Sequence, residues 1–247
     1  VTSATGVDQA LAAVQAGEVD LAALGRPLTD QELTQNLTEV PVSREKIAII
    51  VGRDNPFQGD LAPEQFAQIF RGEITNWSEL GGPDLPIRFV DRPDDSDLRM
   101  SLANYSIFKQ APFETGDNAI QVEEDSTAAL VRELGNNGIS YAIASEVVGQ
   151  DAVRPLSMDA VLPTDPRYPF SQPRGYVYHG EPSMPVQAFL GFATAPEGQQ
   201  AIADARQIEK ANVTAGAEQL PEAVAISPDG QYMVRGNEDG QLEWLDA

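Results

Sequence analysis

Gly72-Glu73-Ile74-Thr75-Asn76-Trp77-Ser78-Glu79-Leu80-Gly81-Gly82 is the stretch on which the fold of this chain turns. Read residue by residue it is a joint. Gly72 closes a helix that opens at Leu61-Ala62-Pro63-Glu64-Gln65-Phe66, with Pro63 tolerated in the first turn and glycine supplying the left-handed stop. Trp77 is an apolar anchor under a loop, and Ile87 to Val90 reads as the next strand. The same alternation continues outward. Ser96 caps a helix over Asp97 to Phe108. Ser126 opens another helix, with Ala129, Leu130 and Leu134 on one face and Gly135 as its stop. Ile139 to Ile143 is a strand after the Asn136-Asn137-Gly138 turn.

Towards the N-terminus, Val7, Ala10, Leu11 and Val14 recur at helical spacing, with Thr5 as N-cap, Asp8 at N3 and Gly17 as the stop. Val19 to Leu24 is a short apolar strand. Val40 to Val51 is a long strand with a polar break at Ser43 to Lys46. Towards the C-terminus, Gly175 to His179 is a strand, and Pro185 to Thr194 and Pro196 to Ala205 are helices. Strands alternating with helices predict an α/β protein. After Ala211 the helical signal stops and β-type punctuation begins, which places a boundary near residue 217.

Composition narrows the chemistry. At 247 residues the chain makes one large domain or two of modest size, and 42% hydrophobic residues suffice for a packed core. Sixteen Lys+Arg against 38 Asp+Glu leave a net charge of −22, which argues against nucleic acid or an anionic membrane as the main partner. Thirteen of the sixteen cations are arginine, the fork-shaped donor suited to oxyanions. With no cysteine there is no disulfide, thiolate nucleophile or Cys-based zinc site. His179 is the only histidine, so a multi-histidine metal site is excluded and a Ser-His-Asp triad would need that residue. The run Ile47-Ala48-Ile49-Ile50-Val51 is far short of the roughly 20 residues that span a bilayer. The chain begins with Val1, so the lack of a targeting segment carries no information.

Three places suit an anion. Ser3-Ala4-Thr5-Gly6 stands at a helix start, where free N–H groups and the helix dipole favour negative charge. Arg92-Pro93-Asp94-Asp95-Ser96-Asp97-Leu98-Arg99 brings two arginines seven apart to a strand-to-helix loop. Arg26 follows a strand end, the region where open α/β sheets collect ligands. Each also has a structural reading: a helix cap, a solvated loop of Asp–Arg pairs, and a Gly-Pro surface turn. Asp94, Asp95 and Asp97 lack the glycine and distal glutamate of a calcium loop.

The Gly72–Gly82 joint resembles the G-x-I-T-N-W signature of phosphate-type periplasmic solute-binding proteins of ABC transporters. Further segments follow in that family's order: Ser3 to Gly6, Gly17 to Ala22 leading to Arg26-Pro27-Leu28, the Arg92–Arg99 loop, Gly138-Ile139-Ser140-Tyr141-Ala142, and Ala193 to Gln200. The resemblance covers about residues 1 to 215. It implies a two-lobed, type II periplasmic-binding-protein-like fold, with residues 1–46 plus 164–217 in one lobe and 47–163 in the other. It implies a non-catalytic module for phosphate or a similar oxyanion, with no cofactor, in the periplasm or outside the cell. The implied partners are an ABC transporter permease or a sensor. Carried over by position, the implied ligand residues are Ser3, Ala4, Thr5, Arg26, Arg92, Ser96, Asp97 and Arg99. Where the family has Gly-Ser-Gly-Thr-Arg, this chain has Asp95-Ser96-Asp97-Leu98-Arg99. Some relatives carry an Asp where Gly25 stands, as acceptor for the phosphate proton, and Asp97 is the candidate for that role here.

The family's first strand and ligand loop fall before Val1. The resemblance therefore implies an N-terminally truncated chain that binds oxyanions weakly or not at all, with any membrane anchor in the missing segment. Residues 218–247, with Ser227-Pro228-Asp229-Gly230, Asp239-Gly240 and Trp244-Leu245-Asp246, resemble the opening of a WD repeat. One blade cannot bury its own faces, so the tail is expected to be a partial β-propeller blade that continues beyond Ala247. That gives the alternative: a degenerate binding fold acting as a sensory or scaffold module, with protein partners reached through a propeller.

Overall fold

The computed structural model describes residues 7–214 and the backbone of three further strands. In chain order the elements are α1 (Val7–Gln15), β1 (Ala22–Leu24), α2 (Asp30–Leu33), β2 (Leu37–Gly52), α3 (Pro63–Phe70), β3 (Arg88–Asp91), α4 (Asp97–Ala103) and β4 (Ala119–Gln121). Then follow α5 (Thr127–Leu134), β5 (Gly138–Ile143), α6 (Ala144–Val147), β6 (Val153–Pro155), β7 (Ser171–His179), α7 (Met184–Thr194) and α8 (Pro196–Thr214). The tail holds β8 (Val224–Ile226), β9 (Tyr232–Gly236) and β10 (Leu242–Asp246), an antiparallel sheet of their own in the order β10-β9-β8. The two turn motifs between these strands lie outside the described residues, and so does the boundary expected near 217.

The main sheet runs β1-β7-β2-β5-β3-β4, with β6 also beside β2. β2 joins its two halves. Residues 37–46 pair antiparallel with β7, and from Ile47 to Val51 the same strand pairs with β5. The polar stretch expected to break this strand does not end it. The chain instead shifts register between Pro41 and Ser43, because Pro41 has no N–H for the ladder. Across the shift Gly175 approaches so closely that a Cβ there would stand 2.6 Å from the Val40 carbonyl oxygen.

The β5 half buries both faces of its strands. On one face Phe66 meets Phe89, Phe108, Tyr141 and Phe170 at 5.9–6.4 Å, tilted or edge-on. Trp77 is fully buried, stacks on Phe57 at 4.5 Å, and donates its indole N–H to the Asn137 carbonyl at 3.1 Å. It is the anchor its sequence context predicts. Asn76 caps the 3-10 turn Trp77–Leu80, with Glu79 reaching back, and Gly81 closes the turn in the left-handed region at φ 77°. On the opposite face Ala48, Ile50, Val90, Leu130, Leu134 and Ala142 pack together. The β1/β7 half has a smaller core of Val7, Leu11, Val14, Leu24, Leu28, Leu37 and Val177.

Several boundaries differ from the expectation. α4 ends at Ala103 rather than Phe108, because the N–H groups of Tyr105, Phe108 and Lys109 bond three residues back in successive turns. α8 continues to Thr214. β1 is only three residues long, lies at one end of the order among the described strands, and runs antiparallel to β7.

Candidate functional site

Asp91, at the end of β3, organises the loop that follows. Its side chain is buried and accepts from the Arg92 N–H at 2.9 Å, the Tyr141 hydroxyl at 2.7 Å and Arg99 Nε at 2.7 Å. Burial pushes the Tyr141 hydroxyl well above its ordinary range and the Asp91 charge pushes it further, so the phenol stays protonated and donates. Arg99 is drawn inward, with its guanidinium 4.8 Å from the Phe113 ring and 5.6 Å from the Phe70 ring. Arg92 turns the other way. Its Nη1 donates to Asp125 at 2.6 Å and its Nη2 to Thr127 at 2.8 Å, while the buried Nε has no partner among the described residues. The two arginines therefore do not close on one anion from two sides. Arg99 is a core pin, and Arg92 is a buried donor with one N–H unpartnered among the described residues.

Ser96 is buried, and its hydroxyl accepts from the Arg99 N–H at 3.4 Å, the N-cap role its sequence predicts. Asp97 begins α4 and crosses to the other half of the molecule. A Cβ on Gly25 would lie 2.5 Å from its Oδ2, so the Asp97 carboxylate occupies the space a side chain at position 25 would fill. Burial pushes the Asp97 carboxyl above the usual carboxylate range. The Val7 N–H, Arg174 and Arg26 pull it back, and Asp125 adds to the rise.

Arg26 serves its own half. It holds Glu32 with both terminal nitrogens at 2.9 and 2.7 Å, and also reaches Asp8 at 2.8 Å. Its hydrogen bonds hold the Glu32 carboxyl down to about 2. The guanidinium ties α1, the end of β1 and α2 into one corner and faces carboxylates rather than open space. Ser3, Ala4 and Thr5 lie outside the described residues, as does the capping expected of Thr5.

A cavity of about 280 Å³ opens where the two halves meet. Gly25 from the β1 end, Ser43 and Glu45 from β2, Asp97, Ser145, and Arg174 and Tyr176 from β7 line it, and α8 contributes Ile202 and Arg206. Of the expected site residues that are described, Asp97 alone lines this cavity. Arg206 donates to the Ser43 hydroxyl at 3.0 Å and pairs with Glu45. Ser145 and Arg174 were missed by the sequence reading. The only signal for Arg174 was its alternation with Tyr176 along the strand, which puts both side chains on one face. Among the described residues no group of three or more His, Cys, Asp or Glu can hold a metal ion.

The family described as "PBP superfamily domain" matches residues 1–197. The chain belongs to the PBP superfamily. This PBP domain is 28% identical over 208 residues to the phosphate-binding protein PstS of Bacillus subtilis (strain 168), covering 81% of the chain and 66% of that relative. It thus spans just under two thirds of the relative's length. A substrate-binding protein of Clostridium perfringens, solved with bound phosphate, superposes with a TM-score of 0.69 at 28% identity, over 81% of this chain and 83% of that one. An ABC-type phosphate transport receptor of Vibrio cholerae shares the fold at TM-score 0.70 and 22% identity, over 81% and 84% of the two chains. The two-lobed α/β architecture with an open sheet is that of these neighbours. Among the described residues no helix is long and apolar enough to cross a membrane.

Proposed function

We propose that this PBP domain is a non-catalytic solute-binding module for phosphate or a similar oxyanion, serving an ABC transporter or a sensor outside the cytoplasm. The observation that carries the reading is the seat of Asp97. A carboxylate from one half reaches the other half at the cleft, within range of Arg174. A carboxylate there accepts a proton from monohydrogen phosphate and repels sulfate, which has none to give. The likeness to phosphate-binding relatives over most of the chain supports the same ligand. Arg92, with its free Nε, and the N–H groups of Ser3, Ala4 and Thr5 complete the proposed anion grip. The proposed lobes are residues 1–46 with 164–217, and 47–163. The change of partner strand on β2 between Lys46 and Ile47 supports that division. The scaffold reading rests on turn motifs outside the described residues and is not favoured.

Titration of the full-length protein with phosphate, sulfate and molybdate, followed by NMR, tests the proposal. Phosphate is expected to shift cleft resonances and sulfate to leave them in place. Arg92→Ala is expected to remove a charge-assisted contact of about 2–5 kcal/mol. Arg88→Ala loses only a half-exposed pair with Glu133 and is expected to change binding little. No phosphate binding at millimolar concentration ends the proposal, and equal small effects of the two substitutions remove Arg92 from the site.

A further inference from the structure

Arg174 and Arg206 line the cleft, and Arg26, Arg92 and Arg99 are the arginines expected near it; four of these five are already paired with carboxylates. Arg26 holds Glu32 and Asp8, Arg92 holds Asp125, Arg99 holds Asp91, and Arg206 holds Glu45. Arg174 is the exception: it lines the cavity, is exposed, and makes no hydrogen bond or ion pair among the described residues. Its interaction with the Asp97 carboxylate is at longer range. An unengaged guanidinium offers five N–H donors in a fixed fork, the geometry that matches phosphoryl oxygens.

The rest of the cavity describes the ligand's other end. A volume of about 280 Å³ lies near the lower limit for clefts that hold small organic ligands, and a lone tetrahedral oxyanion leaves much of it empty. Leu24, Val42, Ile143 and Ile202 make part of the wall apolar. The Ser145 hydroxyl is buried in that wall without a partner among the described residues. Asp97 presents an acceptor, and a ligand satisfies it only by bringing a donor. Inorganic phosphate can bring its own acidic proton. The dianion of a phosphomonoester cannot, so its donor must sit at the organic end.

We propose that the cleft takes a small phosphomonoester whose organic end carries an ammonium or hydroxyl group. The phosphoryl oxygens lie on Arg174 and the Ser145 hydroxyl, the carbon chain lies against the apolar wall, and the donor meets Asp97. This rests on the oxyanion reading above and narrows its ligand class. A second anionic group on the ligand meets Asp97 unfavourably, so phosphorylated carboxylates are excluded.

Titration of the full-length protein with 2-aminoethyl phosphate and with inorganic phosphate separates the two readings. The monoester is expected to bind at least tenfold more tightly. Arg174→Gln is expected to weaken monoester binding tenfold or more while lowering the melting temperature only slightly, since the side chain is exposed and its one interaction is at longer range with Asp97. Arg174→Lys, which keeps charge but loses the fork, falls between. Asp97→Asn is expected to reduce the monoester's advantage over phosphate. Inorganic phosphate binding as tightly as the monoester overturns this inference and leaves the oxyanion reading standing. Binding of neither ligand overturns both, and unchanged monoester affinity in Arg174→Gln removes Arg174 from the site.

Discussion

The half of the molecule built on β5, β3 and β4 is held by apolar packing, and the half built on β1 and β7 is held in good part by charge. In the first, interlocking rings fill one face of the sheet and aliphatic side chains fill the other. In the second, seven buried apolar residues are supplemented by the Arg26 corner, where one guanidinium ties three elements through Glu32 and Asp8. The difference shows why an arginine count misleads about ligand binding. Arginines are consumed as structural ties in both halves, Arg92 and Arg99 in one and Arg26 in the other, and an arginine beside a strand end need not be free for a ligand.

The sharpest way to break this comparison is to cut into each core. Phe66 contacts four other rings and is fully buried, so Phe66→Ala is expected to cost about 3–5 kcal/mol. Leu11→Ala in the smaller core is expected nearer the lower end for such truncations, about 2 kcal/mol, because its neighbours are few and can close in. Urea denaturation measures both. A larger loss from Leu11→Ala than from Phe66→Ala shows that the smaller core carries more of the stability than its size implies.

The next test addresses the charged corner. Glu32 is held at about 2 in the folded protein against an ordinary 4.5, through its hydrogen bonds to Arg26. A carboxyl with a depressed folded value contributes stability that is present above the unfolded value and lost as pH falls towards the folded one. Glu32→Gln is therefore expected to destabilise the chain by about 1.5–3 kcal/mol at neutral pH, the range for hydrogen bonds to charged groups. The gap between variant and parent should narrow as pH falls from 4.5 towards 2. An equal gap at pH 7 and at the acid end shows that the corner is held by packing instead.

The parts of the fold legible in the sequence are those whose signals are local. α1, α3 and α5 announce themselves through apolar spacing, caps and the stops at Gly17, Gly72 and Gly135, all three with positive φ. Trp77 was legible as an anchor because its loop is punctuated on both sides. The site was less so. Arg92 and Arg99 are seven apart in a loop, which looks convergent, but their directions are set by Asp91 and Asp125, and Asp91 in turn is fixed by Tyr141 on β5. Arg174 reaches the cleft through its register opposite Ser43, a pairing between distant segments that no local pattern encodes. The seat of Asp97 against Gly25 likewise exists only once the two halves meet.

Asp97 offers the finest test, because its binding role and its effect on stability oppose each other. Burial raises its carboxyl above the ordinary value, and Arg174 and Arg26 only partly offset that cost. An acid whose folded value is raised adds stability that is full below the unfolded value, about 3.8, and lost as pH rises through the folded one. At neutral pH the ligand-free protein thus holds a carboxylate where a neutral group would be tolerated better. Asp97→Asn keeps the shape and removes the charge, so it is expected to raise the melting temperature at pH 7 by up to about 3 °C, the shift that about 1 kcal/mol produces in a chain of this size. The gain should vanish below pH 3.8, where Asp97 itself is protonated. The same substitution is expected to reduce the preference for phosphate over sulfate, because an amide can turn its N–H towards a fully deprotonated anion. Calorimetry across pH together with the two titrations decides the matter. A variant less stable than the parent at pH 7, with anion preference unchanged, shows Asp97 to be an ordinary helix-start charge whose ion pairing outweighs its burial.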